Sequence, residues 1–103
     1  LSSACWEIIK RDNYLLPKIL HWSDIGEISW YDFALSIKKY AKLNNLINDF
    51  AIIKSIKSDQ INMQAKRPKY SVLDLSESCK SLDLYPNNYE DQLDKIVKII
   101  KNR

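Results

Sequence analysis

Glycine is almost absent from this sequence, which contains a single one, Gly26, among 103 residues. The phosphate-binding turns of P-loop and dinucleotide-binding proteins each need two or three glycines, because other residues keep the backbone from turning tightly beside a phosphate. Both kinds of nucleotide site are therefore excluded for this chain.

Histidine and cysteine are also scarce, with one histidine and two cysteines. Every catalytic triad, Cys-His pair or histidine metal site would depend on His21, which we expect to be a hydrogen-bonded core residue in a short apolar strand. Cys5 and Cys79 are too few for a disulfide framework, so we expect reduced thiols and a cytoplasmic protein. We predict no metal site.

Tyr14 and Lys18 have the Tyr-x-x-x-Lys spacing that lets a lysine help a tyrosine act as an acid when both lie on one helix. Pro17 lies between them, lacks a backbone N–H and clashes with the preceding turn of a helix. We therefore discount the match and predict no catalytic residue in this chain.

Long hydrophobic runs and a strong excess of one charge are missing as well. No segment approaches the roughly 18 apolar residues of a membrane span, and 16 Lys and Arg against 13 Asp and Glu give a net charge of only +3. The basic residues are spread along the chain, which is typical of solvated faces, so we expect neither a membrane nor a nucleic acid as partner. Two alternatives stay open: a stand-alone small basic module that binds an acidic protein or nucleic acid, and a scaffold that mediates dimer contacts.

The residues that are present fit one globular domain, 1–103, with 46% hydrophobic and 28% charged residues. Periodicity and capping residues predict four helices. The first runs from a cap at Ser2 or Ser3 to about Asp12, and the second from the Ser29–Asp32 capping box to about Leu43, before the helix-ending Asn44 and Asn45. The third is short, opens at Leu75 or Ser76 and carries Cys79 and Leu82. The last follows an Asn88 cap, with Glu90 and Asp91 in its first turn and Lys95, Lys98 and Lys101 in its last turns. Their predicted inner faces are Cys5, Trp6 and Ile9 in the first helix, Trp30, Phe33, Ala34, Ile37 and Ala41 in the second, and Tyr89, Leu93, Ile96, Val97 and Ile100 in the last.

Two segments rich in β-branched or aromatic residues, 19–22 and 50–56, predict short strands. Residues 58–69 have little periodicity, so we expect a long loop and a candidate binding site. Arg67 in this loop precedes Pro68, which favours an extended backbone, and its guanidinium offers two parallel donors to a phosphate or diphosphate. The predicted fold class is thus α/β, a small mixed lobe of mainly helices with two or three short strands.

Two motifs occur in the order and at the spacing seen in one enzyme family. Ser-Trp-Tyr-Asp-Phe-Ala (residues 29–34) follows Gly26, and Arg-Pro-Lys-Tyr-Ser-Val-Leu-Asp (residues 67–74) comes later in the chain. Together with Tyr89, the aromatic residue that opens the last helix, they resemble the C-terminal part of the dTDP-4-dehydrorhamnose reductases, a family of extended short-chain dehydrogenases. The resemblance covers essentially all of the chain. Asp83 stands where that family often has a glycine, after the short helix.

The resemblance implies a function for a complete enzyme and a part of it for this chain. Members of the family use NADPH to reduce the C4 keto group of dTDP-4-dehydro-6-deoxy-L-mannose, which gives dTDP-L-rhamnose. Their cofactor turn and catalytic residues lie in an N-terminal Rossmann part, so this chain is expected to be a substrate-binding lobe that binds no NADPH and is inactive alone. By the same resemblance Arg67 contacts the diphosphate of the substrate, with Lys66, Trp22 and Ser29 nearby.

The chain begins at Leu1 without an initiator methionine, and we expect a piece of a longer reductase. The implied partners are a dTDP-sugar and the missing Rossmann domain. Self-association is also expected, because the apolar faces of the first helix and of residues 50–56 would lack their neighbours.

Overall fold

The described part of the molecule is helical. The computed structural model describes residues 1–11, 15–61, 65 and 68–103. Within these residues lie four α-helices and a 3-10 turn: α1 (Ser2–Lys10), α2 (Trp30–Leu43), the turn Ser58–Gln60, α3 (Ser76–Leu82) and α4 (Tyr89–Lys101). None of the described helices is long and apolar enough to cross a membrane.

The chain divides into two compact units. The α1/α3 unit comprises Leu1–Ile25 and Ser71–Asn88, and the α2/α4 unit comprises Gly26–Tyr70 and Tyr89–Arg103.

The core of the α1/α3 unit is small, with Ala4, Ser78 and Leu82 buried. Arg11, which follows α1, connects the two helices through its guanidinium. Nη1 donates to the Glu7 carboxylate one turn back, and Nη2 donates to the carbonyl of Leu82 at 2.6 Å. The last carbonyls of a helix have no partner within the helix and carry its negative dipole end, so a cation at this position stabilises the end of α3. The hydrogen bonds from Arg11 and Lys10 also lower the pKa of Glu7.

The core of the α2/α4 unit consists of Ala41, Leu93 and Val97. The helix α4 carries Glu90 and Asp91 in its first turn and Lys98 and Lys101 in its last, as predicted, which matches the helix dipole at both ends.

The end of α2 is a Schellman motif, in which asparagine takes the place of the usual glycine. Asn45 has φ of 51°, the left-handed conformation that asparagine tolerates better than most residues. The amide of Leu46 donates to the carbonyl of Ala41, and the amide of Asn45 donates to that of Lys42. The prediction that α2 ends at the two asparagines is confirmed.

The two strands predicted at 19–22 and 50–56 are wrong. The described residues form no strand, and their β-pairing is limited to one isolated parallel bridge between Ile25 and Asn88. A β-branched run becomes a strand only where a neighbouring backbone takes its hydrogen bonds. Ile19 and Ile52 are 72% and 83% exposed. The regular secondary structure of the described part is therefore helical, and the predicted mixed α/β class is wrong for it.

The predicted inner face of α1 is also wrong. Trp6 and Ile9 are 61% and 69% exposed, Cys5 is exposed as well, and Ala4 is the buried residue. α1 packs against the short helix α3; Ala4 is buried and Ile8, one turn further on, is half-buried, whereas Trp6 and Ile9 are exposed. The predicted serine cap is wrong too, because the helix begins after Leu1 and has no side-chain cap.

The predicted faces of α2 and α4 are confirmed in part. Ala41, Leu93 and Val97 are buried, and Phe33, Ala34 and Tyr89 are half-buried. The remaining members of the two predicted faces are exposed: Trp30, Ile37, Ile96 and Ile100. The short helix predicted to open at Leu75 or Ser76 and to carry Cys79 and Leu82 is confirmed as α3.

Candidate functional site

The turn before α2 forms around Gly26, the one glycine of the chain. Its φ is +131°, a conformation that other residues rarely adopt. A Cβ atom at this position would lie 2.8 Å from Cε1 of Tyr89 and closer still to Cδ1. The ring of Tyr89 therefore rests directly on the backbone of Gly26, and its edge meets the ring of Phe33 with 6.1 Å between centroids.

Ser29 is the N-cap of α2, as the capping box predicts. Its hydroxyl accepts the backbone N–H of Asp32 at 3.1 Å and donates to the carboxylate of Asp32 at 2.6 Å. The reciprocal partner of Asp32 in the structure is thus the hydroxyl of Ser29, whereas the sequence pattern predicts the backbone N–H of Ser29. The first bond satisfies one of the free backbone N–H groups at the start of α2, and the second holds the Asp32 carboxylate in the first turn, where its charge suits the positive end of the helix dipole.

Glu27, between Gly26 and Ser29, receives a hydrogen bond from a distant part of the chain. The hydroxyl of Tyr70 donates to Oε2 of Glu27 at 3.2 Å. The hydrogen bond and the negative charge of Glu27 raise the pKa of Tyr70 above its ordinary value. The segment that follows the Arg67-Pro68 motif therefore meets the turn before α2, within the α2/α4 unit.

Polar side chains between α2 and α4 are mutually satisfied. The hydroxyl of Tyr40 donates to Glu90 at 3.3 Å, and the amide of Asn44 donates to Asp94 at 3.1 Å. Burial, and then the charge of Glu90, raise the pKa of Tyr40, whereas hydrogen bonds from Lys98 and Asn44 lower the pKa of Asp94. These carboxylates are engaged in connecting two helices, which accounts for them without a catalytic role.

The structure describes two of the four predicted site residues. Ser29 is an exposed cap in the α2/α4 unit, and Trp22 is half-buried in the α1/α3 unit. Lys66 and Arg67 lie outside the described residues. Their role in substrate binding stays a prediction, and so do the roles of Trp22 and Ser29.

The neighbourhood of Trp22 differs from the predicted buried strand. His21 is exposed, so the expectation of a core histidine is wrong. Asp74 receives hydrogen bonds from the hydroxyl and the backbone N–H of Ser76, at 2.7 and 2.9 Å. These bonds, followed by the charge of His21, lower the pKa of Asp74. Asp74 thereby stabilises the start of α3, and the hydrogen bonds from Ser76 are sufficient to explain a carboxylate at this position.

The α1/α3 unit also has an open depression of about 500 Å³ beside α3. Its lining is mixed and contains no cluster of acids: Ile25, Leu75, Ser76, Cys79, Lys80, Asp83, Tyr85 and Pro86. Asp83 ends α3 in the left-handed conformation, with φ of 45° and ψ of 44°. An aspartate thus takes the conformation that a glycine usually supplies, so the departure from the family pattern leaves this helix end intact.

Sequence reasoning missed the pairing of Glu27 with Tyr70. The two residues are 43 positions apart, and no periodicity or spacing rule connects them. Among the described residues, no group of three or more His, Cys, Asp or Glu could hold a metal ion.

The described residues thus form helices with a fixed turn before α2. A family model described as the RmlD substrate binding domain matches residues 1–102. The chain belongs to this family.

A search of curated proteins matches a dTDP-4-dehydrorhamnose reductase from Aggregatibacter actinomycetemcomitans, which is 28% identical over 78 residues. The match covers 76% of this chain and 26% of that protein, so the chain spans about a quarter of the length of its relative. No solved structure matches the chain significantly. The resemblance to the C-terminal part of the reductases is confirmed.

Proposed function

We propose that this chain is the substrate-binding part of an NADPH-dependent dTDP-4-dehydrorhamnose reductase. The complete enzyme would reduce the C4 keto group of dTDP-4-dehydro-6-deoxy-L-mannose to give dTDP-L-rhamnose. The family match over residues 1–102 is the observation that carries this proposal, and the name of the curated relative supplies the reaction. The alternatives of a basic binding module and of a scaffold receive no support from the comparisons.

The residues of this chain do not fit NADPH. Dinucleotide sites of this kind use several glycines beside a helix start, and the one glycine here is covered by the ring of Tyr89. We assign the binding of NADPH and the transfer of hydride to the remainder of the complete enzyme. The role of this chain is then to bind and orient the nucleotide sugar.

Arg67 is the residue to which we assign the diphosphate. We expect Arg67→Ala in the complete reductase to raise the KM for the dTDP-sugar and leave kcat nearly unchanged, the pattern of a lost binding contact. A lost hydrogen-bonded charge contact costs about 1.5 to 3 kcal/mol, which corresponds to roughly a ten- to hundredfold higher KM. Oxidation of NADPH at a series of dTDP-sugar concentrations measures both constants.

Two variants control this experiment. Arg67→Lys keeps the charge but loses the two parallel donors, so an intermediate KM is expected. Arg103→Ala removes an exposed arginine at the end of the chain and should leave KM unchanged. An Arg67→Ala enzyme with the wild-type KM would show that the diphosphate is bound elsewhere.

A further inference from the structure

We propose that the Tyr70–Glu27 hydrogen bond is a positioning contact for substrate binding. It holds the segment after Arg67-Pro68 at the turn before α2, and in this way raises the affinity of the complete reductase for the diphosphate of its dTDP-sugar. This inference rests on the proposed function and assigns residues to it that no sequence motif identifies.

A hydrogen bond joins Tyr70 to Glu27. The hydroxyl of Tyr70 lies 3.2 Å from Oε2 of Glu27, an ordinary distance for a hydrogen bond to a carboxylate. The side chain of Tyr70 is 65% exposed, so this residue contributes little to the core. Its hydroxyl contact, rather than burial of its ring, is what connects it to the rest of the α2/α4 unit.

Glu27 lies in a fixed turn. On one side, Gly26 has a backbone conformation that few residues adopt and is covered by Tyr89. On the other side, Ser29 caps α2 through two hydrogen bonds with Asp32. A carboxylate between two such constraints offers Tyr70 a well-defined acceptor.

Tyr70 is close in the chain to Arg67, the residue assigned to the diphosphate. Arg67 precedes Tyr70 by three positions, and the covalent chain keeps Cα atoms at that separation within about 11 Å of each other. Fixing Tyr70 therefore narrows the region that Arg67 can reach. A binding group that is ordered before the ligand arrives loses less conformational entropy on binding, which improves affinity without adding a contact to the ligand.

Kinetics of the complete reductase test the proposal. We expect Tyr70→Phe and Glu27→Leu, which leaves no acceptor for the hydroxyl, each to raise the KM for the dTDP-sugar about two- to fivefold, the range for an exposed hydrogen bond. The KM for NADPH and kcat should stay unchanged. The double variant should match the single ones, because both remove the same interaction. Tyr31→Phe, which removes a hydroxyl elsewhere in the α2/α4 unit, is the matched control and should leave the KM unchanged.

A spectroscopic measurement checks the contact without using activity. In the complete enzyme with ring-labelled tyrosine, the NMR signal absent from Tyr70→Phe identifies Tyr70. Its pKa should lie above the ordinary value and fall in Glu27→Leu, because the hydrogen bond and the negative charge are both removed. An unchanged titration would show that the contact does not form and would overturn the proposal.

Three further outcomes separate this inference from the proposed function. If the titration shifts as expected but neither variant changes the KM, the contact exists and the positioning role is wrong. If Arg67→Ala leaves the KM unchanged while Tyr70→Phe raises it, the segment is positioned for substrate but Arg67 does not bind the diphosphate. A complete protein that oxidises no NADPH with the dTDP-sugar would overturn the proposed function itself.

Discussion

At the scale of single residues, Gly26 is a position that cannot easily accept a side chain. Its φ of +131° is strained for any residue with a Cβ atom, and the ring of Tyr89 fills the space where that atom would lie. Strain of this kind costs about 1 to 3 kcal/mol, and the clash adds to it. We therefore expect Gly26→Ala to lower the free energy of unfolding by about 2 to 4 kcal/mol, measured by urea denaturation of the chain.

A second substitution separates the two causes. In the background of Tyr89→Leu the ring is gone, so adding Gly26→Ala should cost less than it does in the wild-type chain, while the strain in φ remains. An equal cost in both backgrounds would mean that the close approach of the ring contributes nothing.

The site residues show what sequence can reveal at this scale. Ser29 and Asp32 were predicted as a capping box because the interaction is local and depends on a spacing of three. The neighbouring Pro68 and a family motif both mark Arg67 as a candidate site residue. Glu27 gave no signal, because its partner Tyr70 is brought near by the fold and not by the chain.

At the scale of elements, local signals predicted helices well and faces poorly. The start of α2 at its serine cap and its end at two asparagines follow from side-chain interactions within a few residues. The exposed face of α1 does not follow from such local interactions, because the side of a helix that is buried depends on the helix that packs against it. The same reason accounts for the two missing strands, since residues 19–22 and 50–56 have apolar composition but no described partner strand.

The cap of α2 gives a prediction at this scale. Ser29→Ala leaves the N–H of Asp32 without its acceptor, and we expect the free energy of unfolding to fall by about 1 kcal/mol. Ser29→Asp keeps an acceptor at the cap and should be close to wild type, although it places a second carboxylate beside Asp32. Urea denaturation followed by far-ultraviolet circular dichroism measures both variants.

The same two variants distinguish a cap from a substrate ligand. If Ser29→Ala raises the KM of the complete reductase only by weakening the start of α2, Ser29→Asp should restore both the stability and the KM. A KM that stays high in a stable Ser29→Asp enzyme would instead support direct contact between the hydroxyl and the dTDP-sugar.

At the scale of the whole molecule, many large apolar side chains are exposed, and packing within the chain buries few apolar residues. The described residues bury five apolar side chains, namely Ala4, Ala41, Leu82, Leu93 and Val97. Three of these are small or medium in size, and a domain of this length has little stability to spare. In the proposed complete reductase, the remaining polypeptide would cover part of the exposed surface.

The exposed face of α1 supplies the last prediction. Trp6 and Ile9 are one turn apart and 61% and 69% exposed, so the isolated 103-residue chain should associate through this face as its concentration rises. The double variant Trp6→Gln/Ile9→Gln should shift sedimentation velocity profiles towards the monomer with no change in charge. Ile99→Gln, which alters a similarly exposed residue of α4 at 56%, is the control and should associate like the wild type. A wild-type chain that stays monomeric at high concentration, or a double variant that associates as strongly, would contradict an adhesive α1 face.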